Sequence, residues 1–184
     1  MRRAIAVAFA AWVLTSAAAE KPAAIQFGTE PLTHSRDGRV EGCGVRLTGG
    51  DAPAAGPSRW LDVSLNVFRR GVGVVQAITY EMPRSRYDSE SRPERVGIQR
   101  VWLKPDEEAG STRLGENTEA RDTLVYTVTL DEAAGLFRSV AGGRRLQVGL
   151  RAWGRPRETV YAGSVEMDEN TRAQLETCMA ALVN

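Results

Sequence analysis

The sequence is short of the side chains on which metal centres and many catalytic sites depend. It holds one histidine, His34, and two cysteines, Cys43 and Cys178, in 184 residues. Zinc, copper and haem sites draw on these residue types, so their usual ligand sets are missing. Lysine is nearly absent as well: Lys21 and Lys104 stand alone and arginine supplies the other basic residues, a skew that fits a GC-rich bacterial genome. Neither charge is in excess, with 24 basic against 23 acidic residues. A balanced chain carries no electrostatic footprint for nucleic acid or for an anionic membrane surface. Beyond the first residues there is no apolar run approaching the roughly 20 residues of a membrane-spanning helix.

The one apolar run that is present lies at the start. Met1-Arg2-Arg3 is followed by apolar residues from Ala4 to Leu14 and by the small residues Ser16-Ala17-Ala18-Ala19. Basic start, short apolar middle and small-residue end are the parts of a removable export signal, predicted to be cleaved between Ala19 and Glu20. The run is too short for an anchor, no cysteine at the cleavage point invites a lipid, and the residues around Arg2-Arg3 do not make a twin-arginine signal. The expected compartment is the periplasm, with secretion as the alternative. Residues 20–38 carry Pro22, Pro31 and Gly38 with little apolar period, and read as an extended lead-in to one domain over 39–184.

An even pair of cysteines in an exported chain reads as one disulfide. Cys43, Val45 and Leu47 alternate with Gly44 and Arg46, placing the first thiol on the apolar face of a strand. Leu175, Cys178, Met179 and Leu182 recur at helical spacing, so the second thiol also faces inward. Cys43 and Cys178 are therefore expected to pair and to hold a C-terminal helix on the first strand.

Between them, alternation predicts strands at Arg39 to Thr48, Arg59 to Arg69, Val72 to Met82, Arg95 to Lys104, Leu124 to Leu130, Arg144 to Ala152 and Glu158 to Met167. Pro83 to Glu94 reads as a charged loop, and Pro105 to Ala120 as a polar excursion. Thr129 and Glu132 have capping-box spacing ahead of a helix that ends at Gly142-Gly143, and Asp168 caps a last helix from Glu169 to about Val183. About seven strands with two packed helices predict an α+β, mainly β domain, an antiparallel sheet or sandwich, with a closed β-barrel as the alternative.

The final third, Leu130-Asp131 through Leu136-Phe137, Gly142-Gly143-Arg144-Arg145-Leu146-Gln147-Val148, Tyr161-Ala162-Gly163 and Ala180-Ala181-Leu182, resembles the ending of invasion-associated locus B-like periplasmic proteins. The likeness is one of pattern, and the cysteines are placed differently from that family's. It implies an envelope protein and carries over no catalytic residue.

Few residues suggest chemistry. His34 lies in Thr33-His34-Ser35-Arg36-Asp37, where adjacency in a loop does not build a serine-histidine-acid triad. Asp106-Glu107-Glu108 lacks the ordered spacing of a calcium loop. Gly71-Val72-Gly73 enters a strand where a dinucleotide site needs a helix. No cofactor is expected. Arg84, Arg86, Tyr87, Arg92 and Arg95 form a candidate interaction surface, because guanidinium groups take carboxylates and phosphates as bidentate partners. Tyr80 and Trp102 are candidates for lining a ligand cavity. The sequence thus predicts a non-catalytic periplasmic module that binds an envelope protein or polymer, or alternatively a small-ligand binder using a sheet or barrel cavity.

Overall fold

Strand-forming residues dominate because apolar and polar side chains alternate along most of the chain, which lets each strand bury one face. The computed structural model describes residues 23–51, 57–82, 92–105 and 113–183. The export signal expected over residues 1–19 lies outside them. Eleven strands and two helices follow in order: β1 (Ala23–Ala24), β2 (Gly28–Arg36), β3 (Arg39–Asp51), β4 (Ser58–Phe68), β5 (Val72–Met82), β6 (Glu94–Arg95), β7 (Ile98–Pro105), β8 (Arg113–Arg121), β9 (Thr123–Val128), α1 (Leu130–Ala141), β10 (Arg145–Ala152), β11 (Thr159–Ser164) and α2 (Glu169–Val183).

The strands form two sheets, ordered β1-β11-β10-β7-β8 and β2-β3-β4-β5-β6, with β9 also paired to β5. The fold is the mainly β sandwich with two helices, and the closed barrel is not formed. All pairings are antiparallel except that of β1 with β11. The chain changes sheet on both flanks, from β1 to β2 on one side and from β8 to β9 on the other. Between the sheets lie Phe27, Leu47, Leu61, Leu65, Ile98, Leu103, Leu124, Leu146 and Tyr161, all nearly inaccessible to water. Each such apolar side chain stabilises the fold by about 1.5–3 kcal/mol relative to exposure.

Two segments depart from the sequence reading. The lead-in 20–38 is mostly structured from residue 23: β2 pairs with β3 along its length, joined by Asp37 and Gly38 at φ 52° and 77°. Two successive positive φ values make the two-residue turn that matches strand twist, and Asp-Gly favours it. Within the expected polar excursion, Arg113–Arg121 forms β8 on the edge of the smaller sheet. Its alternation is invisible because the strand buries little more than Gly115, against which Tyr126 and Leu124 pack.

The helices occupy one end of the sandwich. Thr129 caps α1 through a complete capping box, its side chain accepting from Glu132 N–H while the Glu132 carboxylate accepts from Thr129 N–H. Gly143, at φ 66°, ends it. Helix α1 packs on β4, β5 and β10 through Ala133, Leu136, Phe137 and Val140. Asp168 accepts from Thr171 N–H at 2.6 Å and so caps α2, which lies across β2 and β3. That hydrogen bond holds the Asp168 carboxyl below its ordinary range. Cys43 of β3 and Cys178 of α2 are disulfide-bonded, with their Cα atoms 5.8 Å apart. Among the described residues no helix is long and apolar enough to cross a membrane.

Candidate functional site

The opposite end of the sandwich is not covered by a helix, and a cleft of about 330 Å³ opens there between the sheets. A row of alternating charge forms its rim on the larger sheet. Asp51 of β3 pairs in register with Arg59 of β4, which pairs with Glu81 of β5. These are polar residues at inward-facing positions, tolerated because the row lies at the sandwich mouth and its charges compensate one another. Arg59 Nη2 donates to Asp51 Oδ2 at 3.3 Å, and Arg59 Nη1 donates across to Thr159 Oγ1 on β11 at 2.9 Å. Arg155, in the β10–β11 turn, meets Glu81 at 3.6 Å.

Below this rim the lining becomes apolar, with Val96, Leu150 and Ala152 beside Thr79 and Tyr161. Tyr161, only 1% exposed, lines the cleft beneath the rim. Burial, and then the negative charge of Asp51, push the phenol well above its ordinary value, with Arg59 acting the other way. Tyr161 therefore stays protonated and presents a hydrogen-bond donor to the cleft. Asp51 Oδ1 is buried and has no hydrogen-bond partner among the described residues, although Asp51 does not line the cleft. Arg157 and Pro156 complete the mouth, and Arg157 has no ionic partner among the described residues.

The residues expected to line a cavity are elsewhere. Tyr80 alternates with Thr79 and Glu81, so it projects from the outer face of the larger sheet, opposite Trp60. Trp60 lies over Gly50 and is 49% exposed. Trp102 alternates with the buried Val101 and Leu103, and its indole lies over Gly149 on the outer face of the smaller sheet, where Nε1 donates to Glu158 Oε2 at 2.9 Å. Alternation had located both aromatic residues on strands but not on which side the second sheet would lie.

Of the candidate interaction surface, Arg84, Arg86 and Tyr87 lie outside the described residues. Arg92 is exposed. Arg95 is held on β6, donating to Asp122 at 3.2 Å with its guanidinium 6.0 Å from the Tyr80 ring centre. Its hydrogen bond lowers the Asp122 carboxyl below the usual range. Trp60, Tyr80 and Arg95 thus share one exposed outer face.

His34 is placed on β2 and not in a loop. Its Nε2 is 2.7 Å from Asn66 Oδ1, its ring packs 5.2 Å from that of Phe68, and Asn66 donates onward to Ser64 Oγ at 3.1 Å. The histidine touches neither a serine hydroxyl nor a carboxylate among the described residues, so no nucleophile–base pair is assembled there. Among the described residues no cluster of histidine, cysteine and carboxylate side chains could hold a metal ion. No family model matches this sequence, and no curated protein matches it.

Proposed function

We propose that this protein is a non-catalytic binding module of the periplasm that receives a small ligand in the cleft at the helix-free end of the sandwich. The observation that carries the proposal is the lining of the cleft, where Val96, Leu150 and Ala152 form apolar walls below a charged rim, with Thr79 and Tyr161 beside them. The export signal, the disulfide and the likeness of the C-terminal third to invasion-associated locus B-like proteins support the compartment. The cleft volume lies at the lower end of ligand pockets, and its mix of apolar walls with a few polar groups is that of such sites.

A thermal-melting screen of small molecules against the exported protein tests this reading. At least one compound should raise the melting temperature by about 5–10 °C at 100 times its dissociation constant. The shift should vanish in Ala152→Trp, which fills the cleft. A shift that survives this substitution would place binding elsewhere.

A second reading rests on Trp60, Tyr80 and Arg95 together on an open sheet face, a surface suited to an envelope protein or polymer. Loss of envelope co-sedimentation in Trp60→Ala but not in Ala152→Trp would favour it.

A further inference from the structure

Resting on the cleft reading, we infer that the ligand is an amphipathic anion, with a carboxylate or phosphate-monoester head on a short apolar body. Among the described residues, the charged side chains that line the cleft are Arg59, Arg155 and Arg157 against Glu81, with Asp51 behind Arg59. Their balance is positive, whereas the whole chain is nearly neutral. The cleft is therefore a local concentration of cationic donors.

The three arginines are not equivalent. Arg59 is fixed between Asp51 and Thr159 and serves as a rigid part of the wall. Arg155 is 62% exposed along its side chain and meets Glu81, 24% exposed, at 3.6 Å, a loose, partly exposed pair that an incoming anion can replace. Arg157 has no ionic partner to give up among the described residues. Two adjustable guanidinium groups at the mouth suit bidentate capture of planar or tetrahedral oxyanions. Tyr161, kept protonated by its surroundings, adds a neutral donor, whereas Glu81 is the one carboxylate among the described lining residues and is already engaged by Arg155. A cationic head would meet three guanidinium groups and one occupied acid. The body is specified by Val96, Leu150, Ala152, Pro57 and Pro156, which offer apolar contact and little hydrogen bonding.

Four probes that share a hexyl chain test the assignment: hexanoate, hexyl phosphate, hexyl glucoside and hexyltrimethylammonium, titrated by calorimetry into the wild-type protein and Arg155→Ala/Arg157→Ala. One or both anions should bind at least tenfold more tightly than the glucoside, with the ammonium compound weakest. The double variant should lose that tenfold preference, its anions binding no more tightly than its own glucoside. Raising salt should weaken the anions selectively. Whether hexanoate or hexyl phosphate binds more tightly identifies the head. Equal affinity for all heads, preference for the cation, anion binding indifferent to the double substitution, or no binding of either anion at millimolar concentration would overturn the inference. The cleft reading would still stand if the glucoside or ammonium probe bound wild type and was lost in Ala152→Trp, and it would fall with the melting screen alone.

Discussion

At the scale of single residues, what was legible depended on how local the cause was. Thr129, Glu132 and Asp168 act on backbone groups within three positions, so their spacing alone reveals them as caps. Tyr161 was visible only as one member of an alternating strand. Tyr161 and its neighbours Asp51, Arg59 and Glu81 come from four strands, and no local spacing links them. The raised phenol has a consequence for stability. Below the ordinary tyrosine value, near 10, both folded and unfolded chains carry the proton and the contribution is fully present. Above it the unfolded chain ionises first, so stability falls as pH rises, by up to about 1.4 kcal/mol per pH unit. Tyr161→Phe should flatten this alkaline decline in urea-unfolding midpoints measured between pH 9 and 11. An unchanged slope would show that the phenol ionises freely in the fold.

At the scale of elements, the strands that were missed are those whose identity rests on pairing and not on burial. Asp37-Gly38 is a hairpin signal that could have revealed β2, but Pro31 and the polar neighbours of His34 masked the alternation. Strand β8 is polar because it is an edge, and edges are commonly guarded by charge. Strand β1 is held by Ile25 N–H donating to Ala162 O and Phe27 N–H donating to Ser164 O, both at 3.1 Å. Gly163 permits this approach, since a Cβ there would collide with the backbone of Ile25. Gly163→Val should therefore release the first strand, with loss of hydrogen-exchange protection at the Ile25 and Phe27 amides and destabilisation of about 1–3 kcal/mol. Retained protection at both amides would mean that the parallel pair does not form.

At the scale of the whole molecule, the two ends of the sandwich divide the work. One is closed by α1, α2 and the disulfide, and the other carries the charged rim and the cleft. The class of fold was legible because about seven alternating segments and two capped helices admit few layered arrangements. The choice between sandwich and barrel was not, because it depends on which distant strands share an edge. The same holds for Tyr80 and Trp102, whose outward direction follows from where the opposite sheet lies. The disulfide was legible from two local periodicities together. Its 135-residue separation gives it weight: closing so long a loop restricts the unfolded chain by about 5 kcal/mol, an upper figure.

The link between Cys43 and Cys178 joins the compartment, the fold and the closed end in one observable. The most direct test is the intact mass of the protein, expressed in a bacterium from the whole sequence and treated with an alkylating agent without prior reduction. The account predicts a chain beginning at Glu20, two mass units lighter than its dithiol form and carrying no alkyl group. A chain bearing two alkylated thiols would contradict it.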